Sequence, residues 1–149
     1  MIEGVEPIEA LAPGGFTLID DSGNDTARGT VERLKAVTMS VEPDQRVIAV
    51  VGALDFSDDS AYDSLESWGA LVVRLNIASM IAVGPQARAL FLSVGREGSW
   101  DGESQHSPDI DTAYDEVCAL VRPGDVVLVM GSRELPMRHL ANRLMADAS

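Results

Sequence analysis

Arg122-Pro123-Gly124-Asp125-Val126-Val127-Leu128-Val129-Met130-Gly131-Ser132-Arg133 is the stretch that decides the fold. Pro-Gly marks a turn. The unbroken apolar run behind it, from Val126 to Met130, suits a strand covered on both faces, as in a parallel sheet. Gly131-Ser132-Arg133 then opens a helix at the carboxyl end of that strand, where open α/β sheets bind ligands. Glycine lets a backbone approach closely, and helix N-terminal amides with an arginine favour an anion. These three residues are therefore a candidate ligand site. A junction of this kind is more often only a turn, with glycine chosen for a positive φ and serine for a helix cap. The ligand reading needs a second element at the same sheet edge.

Working outward, residues 1–15 carry Glu3, Glu6 and Glu9 among Pro7, Pro13, Gly14 and Gly15. That stretch reads as a leader or linker with room for one short strand, and the domain proper runs from 16 to 149. Phe16 to Asp20 is β-rich and hands over to the polar loop Asp20-Asp21-Ser22-Gly23-Asn24-Asp25-Thr26. Ala27, Val31, Leu34 and Val37 follow at helical spacing with Asp25 or Thr26 as N-cap, and Glu42-Pro43-Asp44 ends the helix. Arg46 to Gly52 is a second apolar strand.

Leu65, Trp68, Val72 and Leu75 mark an amphipathic helix from Asp58 onward, with acidic residues in its first turn. Ser79 to Gly84 is a third strand, and Pro85 starts a helix whose inner face is Ala87, Leu90, Phe91 and Val94. The polar stretch Gly95 to Pro108 holds a short strand near Ser104 to His106. Ile110, Ala113, Tyr114, Val117, Cys118 and Val121 form one helix face, so Cys118 is expected as a buried core thiol. A last helix turns Met137, Leu140, Ala141 and Leu144 inward, with Arg138, His139 and Arg143 on its other faces. Strands alternating with helices predict an α/β, doubly wound, mostly parallel sheet of about five to six strands flanked by helices.

With 149 residues, 46% of them hydrophobic, the chain forms one domain with a real core. It has no 18-residue apolar run and no basic-then-apolar start, and its single cysteine fits a reducing compartment, so a cytoplasmic protein is expected. Twenty-four acidic against 11 basic residues give a net charge of −13. That charge repels nucleic acid and anionic membrane, and neither is an expected partner. Lys35, the only lysine, lies inside a helix with no glycine-rich loop before it. A phosphate-cradling loop with its lysine is thereby excluded, and no G-x-G-x-x-G follows a strand. His106 and His139 lack metal-ligand spacing and are expected to face solvent or cap. Asp20-Asp21 ends a strand at the predicted edge of Gly131-Ser132-Arg133, so two polar loops meet there and a cleft follows.

Ile19 to Asn24, Val47 to Gly52, Ile81-Ala82-Val83-Gly84 with Ala87-Arg88-Ala89, and Arg122 to Arg133 with Met137 together resemble the Rossmann-like C-terminal domain of the Mur ligases. Within that family the likeness is to the branch that adds D-alanyl-D-alanine in peptidoglycan synthesis. Order and spacing agree from about Phe16 to the end, and the Arg122 to Arg133 block is the most specific part. The resemblance implies a three-domain, ATP-dependent ligase that activates a carboxylate as an acyl phosphate and joins it to an incoming amine. It places ATP and Mg2+ in the central domain, with this domain closing over them and inactive alone. It further implies that Asp21, Ser22 and Asn24 face the nucleotide and that Gly131, Ser132 and Arg133 hold the incoming amino substrate, a small molecule or peptide.

The chain departs from the family pattern at four places, one being the acidic and methionine-rich loop expected after Gly52, which is reduced to Ala53-Leu54-Asp55-Phe56. Gly23 stands where a tyrosine is usual, Asp25-Thr26-Ala27 replaces Ala-Asn-Pro, and Met130 replaces a lysine before Gly-Ser. An alternative expectation is therefore a stand-alone binding or regulatory module that keeps the fold without the ligase chemistry.

Overall fold

The computed structural model describes residues 8–54, 65–95, 102–131 and 137–146. Within them six strands form one mixed sheet: β1 (Ile8–Leu11), β2 (Thr17–Asp21), β3 (Val47–Val51), β4 (Ser79–Val83), β5 (Glu103–Ser107) and β6 (Val126–Met130). The strand order is β1-β2-β6-β3-β4-β5, parallel throughout except for β1, which runs antiparallel to β2. The apolar run read first from the sequence thus becomes an inner strand, with β2 on one side and β3 on the other.

Helices α1 (Ala27–Ser40), α2 (Leu65–Arg74) and α3 (Arg88–Gly95) cover one face of the sheet, and α4 (Ile110–Leu120) and α5 (Met137–Ala146) cover the other. Because strand side chains alternate, each inner strand feeds both layers. Val126, Leu128 and Met130 pack with α1 to α3, while Val127 and Val129 pack with α4 and α5. Every residue of β3, β4 and β6 is buried, which is why these strands read as continuous apolar runs. Burial of each large apolar side chain stabilises by roughly 1.5–3 kcal/mol.

Of the two edge strands β5 is polar and β1 is largely exposed, since each has only one neighbour in the sheet. β5 appears where Ser104 to His106 suggested it, and β1 is the short strand for which residues 1–15 had room. Ala12 and Phe16, just after β1, enter the core beside Leu18. In α1 the N-cap is Thr26, whose Oγ1 accepts the Gly29 N–H at 2.9 Å. Trp68 of α2 donates its indole N–H to Thr30 of α1 at 3.0 Å, so the largest buried side chain has its one polar atom satisfied. The acidic first turn expected around Asp58 lies outside the described residues.

Two expectations are corrected. Cys118 is exposed, not a core thiol. The inner face of α4 is Ile110, Ala113, Tyr114 and Val117. At roughly 100° per residue, Cys118 is rotated about 80° from Ile110, the farthest of the expected set from the stripe's centre. His106 neither faces solvent freely nor caps a helix. It is half-buried, its Nε2 donates to the Gly84 carbonyl at 2.8 Å, and its ring lies against Phe91.

The first half of the signature block is structural. Asp125 is buried and accepts from the Arg122 N–H at 2.8 Å and from Arg46 Nε at 3.0 Å. Hydrogen bonding to Asp125 holds the Arg46 guanidinium above its ordinary pKa, outweighing partial burial. Gly124 donates its N–H to Gly15 at 2.9 Å, and Thr17 donates to the Asp125 carbonyl at 2.9 Å. This turn therefore fixes the amino ends of β2, β3 and β6, at the far side of the sheet from Gly131. No described helix is long and apolar enough to cross a membrane.

Candidate ligand crevice at the carboxyl edge of the sheet

β2, β6 and β3 end side by side, with Asp21 level with Met130 and Met130 level with Val51. The chain leaving β2 and β3 continues to α1 and α2 on one face, while the chain leaving β6 continues to α5 on the other. Connections that part on either side of a strand open a crevice outside its carboxyl end. Here that point is Gly131.

Backbone hydrogen bonds tie the three loops together. Gly131 donates its N–H to the Asn24 carbonyl at 2.8 Å, and Gly52 donates to the Met130 carbonyl at 3.0 Å. Gly131 has φ of +69°, and a Cβ there would lie 3.2 Å from the Gly52 nitrogen and 3.3 Å from the Ala53 carbonyl oxygen. Glycine is thus required twice over, by backbone conformation and by the backbone beside it. Ser132 and Arg133, the other two residues of the candidate substrate site, lie outside the described residues.

Asp20 and Asp21 are consecutive strand residues and point to opposite faces. Asp21 faces α1, where its Oδ2 accepts from Arg33 Nε at 3.0 Å and from the Asn24 side-chain amide at 2.8 Å. The same amide donates to the Gly29 carbonyl at 3.0 Å. Asn24 Oδ1 is buried without a partner and sits against Gly29, so that any side chain at Gly29 would run into it. Asp21 and Asn24 are both more than nine-tenths buried and form the inner frame of the loop. Ser22 and Gly23 make its outer surface.

Asp20 faces α5. Its Oδ1 accepts the Ser22 N–H at 3.1 Å, and its Oδ2 lies 3.9 Å from Arg138 Nε. The two adjacent carboxylates therefore cannot converge on one ion. No three His, Cys, Asp or Glu side chains among the described residues are grouped to hold a metal. Nothing in the described crevice fits a Mg2+ centre of this chain's own.

The fold brings Asp21, Ser22, Asn24 and Gly131 to one edge, as the two-loop reading required. Sequence reasoning missed Arg33 and Arg138. Arg33 carried one usable signal, a basic residue within two turns of the start of the helix that follows an acidic strand end. Arg138 was read only as lying off the inner face of α5.

A family profile described as Mur ligase, glutamate ligase domain, matches residues 6–133. The UDP-N-acetylmuramoyl-tripeptide–D-alanyl-D-alanine ligase of Mycobacterium tuberculosis (strain ATCC 25618 / H37Rv) is 30% identical over an alignment that covers 89% of this chain and 29% of that protein. The ligase of the same name from Mycobacterium leprae is 29% identical, with 91% of this chain and 29% of its own length covered. The chain thus spans under a third of the length of these relatives. Among solved structures, a MurF from Acinetobacter baumannii superposes with a TM-score of 0.71 at 21% identity, covering 96% of this chain and 30% of that one. A MurF ligase from Thermotoga maritima in complex with ADP superposes with a TM-score of 0.69 at 18% identity, covering 97% and 31%.

Proposed function

Since this chain belongs to the Mur ligase family through its glutamate ligase domain, we propose that it serves as the C-terminal domain of an ATP-dependent ligase adding D-alanyl-D-alanine to UDP-N-acetylmuramoyl-tripeptide. The observation that carries this reading is the 30% identity to mycobacterial ligases of that name, spread over 89% of the chain. ATP and Mg2+ belong to a central domain, over which this one closes. The loop of Asp21, Ser22 and Asn24 faces the nucleotide: Asp21 and Asn24 hold its shape from within, and Ser22 and Gly23 form the surface. Gly131, Ser132 and Arg133 hold the incoming amine at the mouth of the crevice. Amide formation then rests on positioning and charge neutralisation, with domain closure excluding water and completing the site.

The isolated chain neither binds ATP tightly nor hydrolyses it, because it lacks a phosphate-cradling loop with a lysine. Isothermal titration with millimolar ATP and Mg2+ is expected to be flat. Micromolar affinity would overturn the assignment of the nucleotide to another domain.

One observation favours the second reading, a Rossmann-like binding or regulatory module without ligase activity. Met130 is fully buried among the α1 to α3 core residues and offers no positive charge to the crevice. A protein that turned over no D-alanyl-D-alanine beside a competent central domain would be of this kind.

A further inference from the structure

Asn24 joins three elements. Its backbone carbonyl accepts the Gly131 N–H at 2.8 Å, at the end of β6. Its side-chain amide donates to Asp21 Oδ2 at the end of β2, at 2.8 Å, and to the Gly29 carbonyl in the first turn of α1, at 3.0 Å. Both amide hydrogens are thereby engaged, so the amide cannot flip, and Oδ1 is left buried without a donor. An unfilled buried acceptor is destabilising. Native chains keep such a group where a fixed local geometry serves function.

Asp21 holds the amide in this orientation, and Arg33 holds Asp21. The same oxygen, Asp21 Oδ2, takes both the Asn24 amide and Arg33 Nε, the latter at 3.0 Å. The Asp21 side chain is 3% exposed, so its charge is balanced by protein and not by water. Arg33 stands in the second turn of α1 with its side chain 31% exposed, the member of the group that solvent reaches. Three contacts thus run from the surface of α1 to the end of β6: Arg33 to Asp21, Asp21 to Asn24, and Asn24 to Gly131.

We propose that Arg33 is a positioning residue of the crevice: through Asp21 and Asn24 it fixes where Gly131 begins the loop after β6, without touching a ligand itself. This rests on the ligase reading above for what that loop serves. The role is electrostatic more than steric. A cation at position 33 keeps the buried carboxylate aimed at the Asn24 amide, and the amide keeps the Asn24 carbonyl under the Gly131 N–H.

The test is amide hydrogen exchange by NMR on the full 149-residue chain. Two references accompany the Gly131 N–H: Leu128 inside β6, which reports global opening, and Gly124, whose N–H bonds to the Gly15 carbonyl at 2.9 Å at the opposite edge of the sheet. Arg33→Met keeps the apolar stem and removes the charge. In that variant the Gly131 amide is expected to exchange about tenfold faster relative to both references. Arg33→Lys, which restores a cation, should recover most of the protection. Exchange at Gly131 that is unchanged, that rises only in step with Leu128, or that lysine does not rescue would reduce the pair to a plain stabilising contact and overturn the inference. A second arm uses a ligase assembled from this domain and the other domains of a mycobacterial relative. There Arg33→Met should raise KM for D-alanyl-D-alanine about tenfold, whereas a smaller folded fraction alone would lower kcat and leave KM where it was. An unmoved KM overturns the inference as well. An assembled ligase that turns nothing over with arginine in place sinks the ligase reading instead, and the exchange measurement then decides the role of Arg33 alone.

Discussion

Gly131 donates its backbone N–H to the carbonyl of Asn24 at 2.8 Å, so the loop after β2 and the end of β6 are one piece of structure. The bond links residues more than a hundred positions apart in sequence and joins two loops at the carboxyl edge of the sheet. Gly131→Ala places a side chain at a φ of +69° and within 3.2 Å of a neighbouring backbone nitrogen. Left-handed backbone alone costs a non-glycine residue about 1–2 kcal/mol, and the contact adds to it. Thermal melts should show a loss of several degrees, together with a changed Asn24 carbonyl environment by NMR. A melt indistinguishable from the parent would mean that this junction is loose and frames no site.

Asp21, Arg33 and Asn24 form a second testable unit. Asp21→Ala leaves a part-exposed arginine and a buried amide without their shared acceptor. Hydrogen bonds to a charged group are worth about 1.5–3 kcal/mol, so urea unfolding should place the loss at about 2 kcal/mol. Arg33→Ala should cost less, since the arginine side chain is 31% exposed and water replaces part of its contact. In a double-mutant cycle the two losses should fall short of additivity. Full additivity would show that the pair contributes nothing as a pair.

Much of this architecture was legible in the sequence. The three all-buried strands announced themselves as Val47 to Val51, Ser79 to Val83 and Val126 to Met130, because burial on both faces leaves no polar residue to interrupt the run. The edge strands were faint for the opposite reason: Glu103 to Ser107 has one partner strand and keeps polar side chains. Cys118 was misread because an apolar residue at helical spacing can still lie past the margin of the buried stripe. At the crevice, the edge shared by Asp21 and Gly131 was readable from strand ends. The split of Asp20 and Asp21 to opposite faces follows from strand periodicity, but their partners Arg33 and Arg138 sit on α1 and α5, which only the packed fold brings to either face. The structural part of Arg122 to Asp125 was hidden likewise, since its partner Arg46 lies in the chain leading into β3.

Acid should weaken the start of α4 in a defined direction. Asp109 caps this helix by accepting the Thr112 N–H at 2.8 Å, and that bond holds its carboxyl below the usual pKa. A folded value below the unfolded one, about 3.9, means that the stabilisation is complete above the unfolded value and is lost as pH falls through the folded one. The gap in melting temperature between the parent and Asp109→Ala should hold steady from neutral pH down to about 5 and narrow below about 4. A gap that widened on acidification would show that the carboxylate is not the capping species.

The central claim is that this chain supplies the amine-holding, closing domain of a D-alanyl-D-alanine-adding ligase. Exchanging it for the matching segment of the Mycobacterium tuberculosis relative, which is 30% identical to it, tests that claim most directly. The measurement is phosphate release from ATP with UDP-N-acetylmuramoyl-tripeptide present, with and without D-alanyl-D-alanine, on a chimera whose cooperative melt confirms folding. Release that depends on the dipeptide is the expected result. A folded chimera whose phosphate release is absent, or is indifferent to D-alanyl-D-alanine, would contradict it.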